Sequence, residues 1–575
     1  MCFLLSSLHH QANDQTLEWR RQLGSQYFVR VCLFSVLLGV PVSDAAYTPS
    51  AAFYKLRHYR HQERGLLPYV GKHFWEIYGQ EPIHFGKIRP ISPTLGMTAF
   101  AAVGQTVYVE YLADASARMM FSSSLTLRLI PKGQKDCTKG GCVSLGKPSD
   151  IAMRYVSKNT LYVKGKIVLP AGVKPGYYDL LHTLQSFLFR ARRQRQQNAT
   201  TKPSKKTSTR SVRTKGAILV LNKKPKEIDN FQFVHMSDLR FSAGHKANAT
   251  RSIEGINKLK PAPTFVVLTG DVVQYGNSPS LWKQARALLS KLKMPVIVSI
   301  GNNDYYRAWI GQPPKRSGIE RQEEGLRLFV RYMHPFLAGR FAFGGYKWML
   351  LDTGPSATYR TWYKLKWVTT EGLTKGQLKD VASFLKTPAR NGHIVLGHSG
   401  TRLAIRHTSK GCAAGRHGVF LRGRDAFEAL LIKATKKTKK PVVYMYGHQH
   451  WNDLYAYNAA SPSCSFSRMR FRYTMMGSQP CWRTLPVKRS PLLMATQSAS
   501  KHQSLRSGGW HQWGMKYGEG AGASHGFRVI SVKKTVWKSM NLRFYRRRSM
   551  FATKYTHGYI TPNAFSTDKL PVCSK

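Results

Sequence analysis

Residues 264–271 read Thr-Phe-Val-Val-Leu-Thr-Gly-Asp, an apolar run that stops abruptly on glycine and a carboxylate. The pattern recurs. Phe231-Gln-Phe-Val-His-Met runs into Ser237-Asp238, and Pro295-Val-Ile-Val-Ser-Ile runs into Gly301-Asn302-Asn303-Asp304. His393-Ile-Val-Leu runs into Gly397-His398, and Pro441-Val-Val-Tyr-Met-Tyr runs into Gly447-His448-Gln449-His450. Short apolar runs separated by helical segments are what a sheet covered on both faces requires, so the region is expected to be α/β. In such sheets ligands gather beyond the carboxyl ends of the strands. Five strands thus bring Asp238, Asp271, Asn302, His398 and the His448/His450 pair towards one edge. Glycine precedes four of the tips, as expected where backbone turns sharply beside a ligand. The donors are oxygen and nitrogen with no thiolate, a set that suits divalent first-row metals.

The segments between the runs support this reading. After Ser278-Pro279, a cap followed by a first-turn proline, Leu281, Ala285, Leu288, Leu289 and Leu292 fall on one helical face. Thr374 with Gln377, and Asp425 with Glu428, fit capping boxes ahead of two further helices.

Upstream the texture differs. Residues 47–188 hold short alternating runs such as Thr106-Val-Tyr-Val-Glu-Tyr and Leu125-Thr-Leu-Arg-Leu-Ile with turn signals between them, which predicts a β-sandwich. Residues 190–215 carry ten Lys/Arg and no acid on a Ser/Thr/Gln/Asn background, a composition expected of a flexible basic linker. From Gly216 the α/β texture takes over to about residue 549, leaving 550–575 as a tail. At the N-terminus, residues 1–45 resemble a targeting segment: Arg20, Arg21 and Arg30 precede the apolar stretch 31–42, with small residues around Ala45. A signal peptide, an uncleaved anchor and a mitochondrial presequence all fit, and Asp14 and Glu18 weigh against the last. Without Cys2 and Cys32, six cysteines remain, an even set that an oxidising compartment could pair, and Cys137 and Cys142 could close a local loop. The expected setting is secreted or secretory, the alternative mitochondrial.

Composition bounds the partners. The chain has 575 residues with 89 Lys+Arg and 28 Asp+Glu, a formal net charge of +61, and is 42% hydrophobic. General disorder is excluded, and so is a multi-pass membrane protein, because no apolar run has the necessary length. The charge predicts attraction to nucleic acid, anionic lipid or phosphorylated substrates, or reflects a compositional bias alone. Basic segments at 190–215 and Arg543–Arg548 could track a nucleic-acid backbone or an anionic surface. Tyr305, Tyr306 and Trp309 could wall a ring-bearing substrate, or simply pack their loop.

The five-motif series resembles the calcineurin-like metallophosphoesterase superfamily, whose pattern is Asp-x-His, Gly-Asp, Gly-Asn-His-Asp or -Glu, a late His, and Gly-His-x-His. The likeness covers about residues 216 to 535, including Leu350-Leu-Asp-Thr-Gly and Gly526-Phe-Arg-Val-Ile-Ser-Val. It implies a four-layer α/β/β/α sandwich, and the preceding β-sandwich resembles the Ig-like domain ahead of some secreted members. It also implies two divalent or trivalent ions (Fe, Mn or Zn): one on Asp238 and His450, the other on Asn302, His398 and His448, with Asp271 bridging. Two such ions could clamp the attacking and leaving oxygens of an in-line displacement. The implied activity is hydrolysis of a phosphate mono- or diester.

Two positions depart from the family, and both touch chemistry. Arg240 stands where the family has a ligand histidine, and guanidinium has no lone pair to give. It could leave a three-ligand metal, occupy the space of the first cation so that only one metal binds, or pair with the substrate phosphate. Asn303 stands where the family histidine serves as general acid, and an amide cannot protonate an alkoxide at neutral pH. His235 or His245 could substitute. The catalytic candidates are therefore Asp271, Asn303 and Arg240. The alternative function is a degenerate member that binds nucleic acid or another anionic partner.

Overall fold

The computed structural model describes residues 88–114, 125–138, 140–157, 160–187, 207–243, 245–305, 325–326, 328–334, 339–354, 360–363, 366–369, 372–373, 375–401, 423–448, 454–457, 466–468, 483–485, 491–495, 525–544 and 565–566. Expectations on residues 1–87, 189–206, Tyr306, Trp309, Thr374, His450 and most of the tail lie outside these residues.

Among the described residues, those from Ile88 to Leu221 build two sheets. β1 (Ile88–Ser92), β3 (Thr106–Asp114), β7 (Thr160–Val168) and β6 (Ser149–Ser157) form one antiparallel sheet in the order β1-β3-β7-β6. β2 (Ala99–Ala102), β9 (Thr207–Leu221), β8 (Gly176–Phe187), β4 (Leu125–Pro131) and β5 (Val143–Gly146) form a second, in the order β2-β9-β8-β4-β5. Val107, Val109 and Val163 from the first sheet share a buried core with Leu127, Leu129 and Ile218 from the second. The alternation read from Leu125-Thr-Leu-Arg-Leu-Ile appears as buried Leu125, Leu127 and Leu129 beside an exposed Arg128. Cys137 and Cys142 are disulfide-bonded across the loop before β5.

One expectation fails here. The composition of residues 207–215 predicts linker, yet they form the first half of β9, paired along β8 from Phe187↔Thr207 to Leu180↔Thr214. A basic run is tolerated in this strand because its period-two positions Val212 and Thr214 turn into the core. Between them, Arg213 is neutralised: Nε donates to Asp179 Oδ2 at 2.7 Å, and its other nitrogens donate to the carbonyls of Gln134 and Lys135. β9 thus runs through the position expected for the boundary, Gly216, and ends at Leu221.

In the rest of the chain, β10 (Asn230–Met236), β11 (Leu259–Lys260), β12 (Phe265–Thr269), β13 (Val296–Ser299), β14 (Arg340–Phe343), β15 (Tyr346–Leu350), β16 (Arg360–Tyr363), β17 (Lys366–Thr369), β18 (Gly392–Leu396), β19 (Val442–Tyr446), β20 (Leu454–Tyr457), β21 (Phe466–Arg468), β22 (Arg483–Leu485), β23 (Leu492–Ala495), β24 (His525–Lys533), β25 (Val536–Phe544) and β26 (Phe565–Ser566) are joined by α1 (Lys246–Asn257), α2 (Pro279–Leu289), α3 (Lys375–Lys386) and α4 (Arg424–Thr438). Two large mixed sheets result, ordered β13-β12-β10-β24-β25-β22 and β14-β15-β18-β19-β23-β20-β21. All five apolar runs are strands. β10, β12 and β13 are parallel neighbours in the first sheet, and β18 and β19 in the second.

The second sheet shows why its strands are apolar on both faces. Trp348, Leu350, Ile394, Leu396, Val443 and Met445 join the large core that also holds Phe233 and Phe265 of the first sheet. Their neighbours Met349, Val395, Val442, Tyr444 and Tyr446 pack instead with Val381, Phe384, Phe427 and Leu431 of α3 and α4. In α2, Ser278 caps the helix by accepting from Leu281 N, and Trp282, Ala285, Leu288 and Leu289 are buried. Asp425 does not cap α4. Gly423, at φ +71°, holds the N-cap position and Asp425 lies in the first turn, paired with Arg424. The Gln377 side-chain nitrogen donates to the Asp352 carbonyl, and its expected partner Thr374 lies outside the described residues.

The N-terminal part is welded to the first sheet. Gly96 and Met97 bridge to Ile297 of edge strand β13, with Val298 N donating to Gly96 O at 2.9 Å. Phe100 packs between Phe265 and Phe341, and Arg89 donates to the carbonyls of Val330 and Arg331. Among the described residues no helix is long and apolar enough to cross a membrane.

Candidate metal centre

Beyond the strand ends, the loops continue the pairing that the strands began. Asp238 N donates to Gly270 O at 3.1 Å, Arg240 N to Asp271 O at 2.7 Å, and Phe241 N to Val272 O at 2.9 Å. On the other sheet Gly447 N donates to His398 O at 2.9 Å. Zipped together this closely, the loops leave no room for a Cβ at certain glycines. One added at Gly447 would collide with Ser237 Oγ and lie 2.6 Å from Asp238 Oδ2, and one at Gly301 would press on Asp271. The turns are also strained. Among the described residues seven non-glycine residues have positive φ, and four of them are Asp238, Arg240, Asp271 and His448. Each such conformation costs on the order of 1–3 kcal/mol and persists only where the surroundings enforce it, which concentrates strain at this sheet edge.

At the ends of these strands five side chains come together. Asn302 Oδ1 lies 2.9 Å from His398 Nε2 and 2.8 Å from His448 Nδ1, and His398 Nε2 lies 3.1 Å from Asp271 Oδ1. Asp238 joins them: its Oδ2 accepts from His448 N at 2.9 Å and its Oδ1 is 4.0 Å from His398 Nε2. Asp238, Asp271, Asn302 and His398 are buried and His448 is half-buried. His450, the remaining ligand candidate, lies outside the described residues.

These residues fit a metal ion. Ligand atoms on adjacent corners of an octahedron with bonds of about 2.1 Å are about 3 Å apart, the spacing found between Asn302 Oδ1, the two imidazoles and Asp271 Oδ1. Asp238, Asp271 and His398 each offer a donor atom within 4.8 Å of the others. His398 Nδ1 faces the Thr269 carbonyl at 2.7 Å; a proton there directs the Nε2 lone pair at the cluster. The electrostatics call for positive charge. Burial works against a protonated His398, yet the Asp271 carboxylate, then Asp238 and the Thr269 carbonyl, push it up to about 10. For Asp271, burial is outweighed by His398, Arg240 and His448, which hold it well below the usual carboxylate range.

The other side of Asp271 is already engaged by the chain itself. The other oxygen of Asp271, Oδ2, accepts from Arg240 Nε at 3.2 Å and from the Asn303 side-chain amide, while Asn303 N donates to Oδ1 at 2.8 Å. Arg240 and Asn303, the two departures read from the sequence, thus both close on Asp271. Asn303 is not displayed as a proton donor; it clamps the carboxylate.

The residues around the cluster take supporting roles that the sequence did not assign them. Asp304 accepts from Val273 N at 3.1 Å and Gly301 N at 2.9 Å, tying the second and third loops together, and burial with the nearby Asp271 pushes it up to about 7. Tyr305 is buried and donates to Asp352 at the tip of β15, so it braces the loop and does not wall a pocket. His235 lies inside the sheet, 3.0 Å from Thr269 Oγ1, and burial and then Arg528 push it well below its ordinary value. Neutral at physiological pH, it cannot supply the missing general acid. His245 sits at the start of α1, bonded to Ser242 Oγ at 2.9 Å.

Residues 231–452 match the model of the calcineurin-like phosphoesterase family, the family to which the motifs pointed. Among solved structures the chain is similar to a purple acid phosphatase isolated from yellow lupin (Lupinus luteus) seeds, with 12% identity over 84% of this chain and 77% of that one and a TM-score of 0.42. It is also similar to the Thermus thermophilus protein TT1561, with 11% identity over 38% of this chain and 81% of that one and a TM-score of 0.22. A comparison with curated protein sequences finds no match.

Proposed function

We propose that the chain is a metal-dependent phosphoester hydrolase whose ion is held by Asp271 Oδ1, Asn302, His398 and His448. The observation that carries this reading is the mutual spacing of those donors, 2.8–3.1 Å, at the junction of two sheets. When bound, the ion supplies charge for the phosphoryl oxygens and lowers the pKa of water. The chain's own residues do the rest. Asp271 and Asp238 set the negative field that keeps a cation in place. The Thr269 carbonyl orients His398, and Asp304 ties the Gly301 and Val273 backbones so that Asn302 cannot drift. No group in the described cluster is placed to protonate a leaving alkoxide, because Asn303 is spent on Asp271. Esters with acidic leaving groups are therefore the preferred substrates.

Two sheets sharing one core, with α3 and α4 covering the second, support the four-layer α/β/β/α reading, and the paired N-terminal sheets support an Ig-like domain before it. The Cys137–Cys142 disulfide supports a secretory setting.

The test is turnover of an activated aryl phosphate by purified protein before and after chelation, with Mn²⁺, Zn²⁺ or Fe added back. Hydrolysis that vanishes with chelator and returns with metal is expected. Metal-free protein that binds nucleic acid in a steeply salt-dependent way, with no turnover above an Asp271→Ala control, would replace the enzyme with the binding module.

A further inference from the structure

We infer that the Arg240 guanidinium is a built-in replacement for a second metal ion, so that the centre takes one ion per chain. This rests on the metal-site reading above and adds its stoichiometry. A carboxylate can bridge two cations by giving one oxygen to each. Asp271 has the first half of that arrangement, with Oδ1 beside His398, but its Oδ2 already holds a fixed cation, the Arg240 Nε at 3.2 Å, together with the Asn303 amide. Two donors fill the lone-pair directions of that oxygen.

The placement of Arg240 is enforced, not incidental. Its backbone sits at φ +44°, a conformation the β-carbon disfavours, and is pinned there by Arg240 N on Asp271 O at 2.7 Å and by the Phe241–Val273 bridge. The same register that delivers Asp238 to the cluster therefore delivers the guanidinium to Asp271. Its side chain keeps 22% of its surface exposed while that of Asp271 keeps none, so the cation closes the carboxylate off from the solvent side. Guanidinium stays protonated throughout the accessible pH range and cannot be displaced as a lone-pair donor. An incoming second ion would have to evict a like charge from a buried oxygen.

The experiment counts metal in the full-length protein by elemental analysis and by calorimetric titration with Mn²⁺ and Zn²⁺. Wild type, Arg240→His and Arg240→Lys are compared. One ion per chain is expected in wild type and in Arg240→Lys, which keeps the positive charge. Two are expected in Arg240→His, where an imidazole lone pair joins Asp238 and the released Asp271 Oδ2. Two ions in wild type would overturn the inference and leave the metal-site reading standing. So would one ion in both wild type and Arg240→His, including the case in which that variant only binds inorganic phosphate more weakly, since Arg240 would then be a substrate anchor. No ion in wild type would overturn the metal-site reading itself, and the inference with it. A wild-type count of two overturns the inference even if Arg240→His fails to fold.

Discussion

His182, between the two N-terminal sheets, and His398, at the tip of β18, are both wholly buried, yet their surroundings push their protonation in opposite directions. His182 faces neutral hydroxyls: Tyr111 Oη at 3.1 Å from Nδ1 and Thr214 Oγ1 at 2.5 Å from Nε2. Burial dominates there and pushes it down to about 3. His398 suffers the same burial but faces Asp271 and Asp238, and is pushed up to about 10. The backbone differs too. The strained left-handed residues Asp238, Arg240, Asp271 and His448 surround His398, whereas Tyr111, His182 and Thr214 lie in regular strands. A buried histidine alone therefore says little about function. Buried carboxylates held by strained loops are what separate a site from a satisfied core.

The sharpest way to break this contrast is to remove one partner from each cluster. Asp271→Asn should cut turnover of the aryl phosphate on the order of 10³-fold or more, the several kcal/mol a bound cation contributes to the transition state. It should also weaken metal binding measured by calorimetry. His182→Ala should leave turnover and metal content unchanged but lower stability by about 2–4 kcal/mol, from a cavity and two abandoned hydroxyls, read by chemical denaturation. Equal losses of activity in both variants would erase the distinction.

A smaller effect sharpens it. In chelated protein the two histidines should give stability slopes of opposite sign. Between pH 6.5 and about 3 the unfolded chain binds a proton that native His182 refuses, so acidification should destabilise, by up to about 1.4 kcal/mol per pH unit. Native His398 keeps its proton to about 10 while the unfolded chain releases it near 6.5, so that contribution is lost as pH rises through this window. Denaturation midpoints across pH should show His182→Gln flattening only the acid limb and His398→Gln only the alkaline one. His334, pushed down to about 4 by burial, belongs with His182 and leaves a residual acid slope.

The smallest effect concerns Tyr305. Tyr305→Phe removes the hydroxyl that bonds Asp352 and should cost about 1–3 kcal/mol in stability with turnover unchanged. A large loss of turnover would mean that this brace belongs to the site and not to the core.

The five strands are legible because strands buried on both faces are written as unbroken apolar runs, and the polar residue ending each run stands out against them. Residues 207–215 mislead because a strand with one solvent-facing side can carry as many cations as a linker. What distinguishes the two is pairing along β8 and contacts such as Arg213 with Asp179, which spans 34 positions. The capping signals divide as well. Ser278 caps its own helix, but at the start of α4 the N-cap position falls on Gly423 and Asp425 lies inside the first turn.

At the site itself, sequence alone determined the inventory of donors, the lack of a lone pair on Arg240 and the lack of a proton donor at Asn303. Those are properties of residue type and survive any fold. It left open which of three roles Arg240 plays, because each needs only a cation somewhere near the cluster. The tertiary structure divided the two oxygens of Asp271, one towards His398 and the other towards Arg240 and Asn303. That division depends on how two loops zip past the ends of β10 and β12, a matter of ångströms set by backbone hydrogen bonds between residues about 30 positions apart, on which side-chain identity is silent.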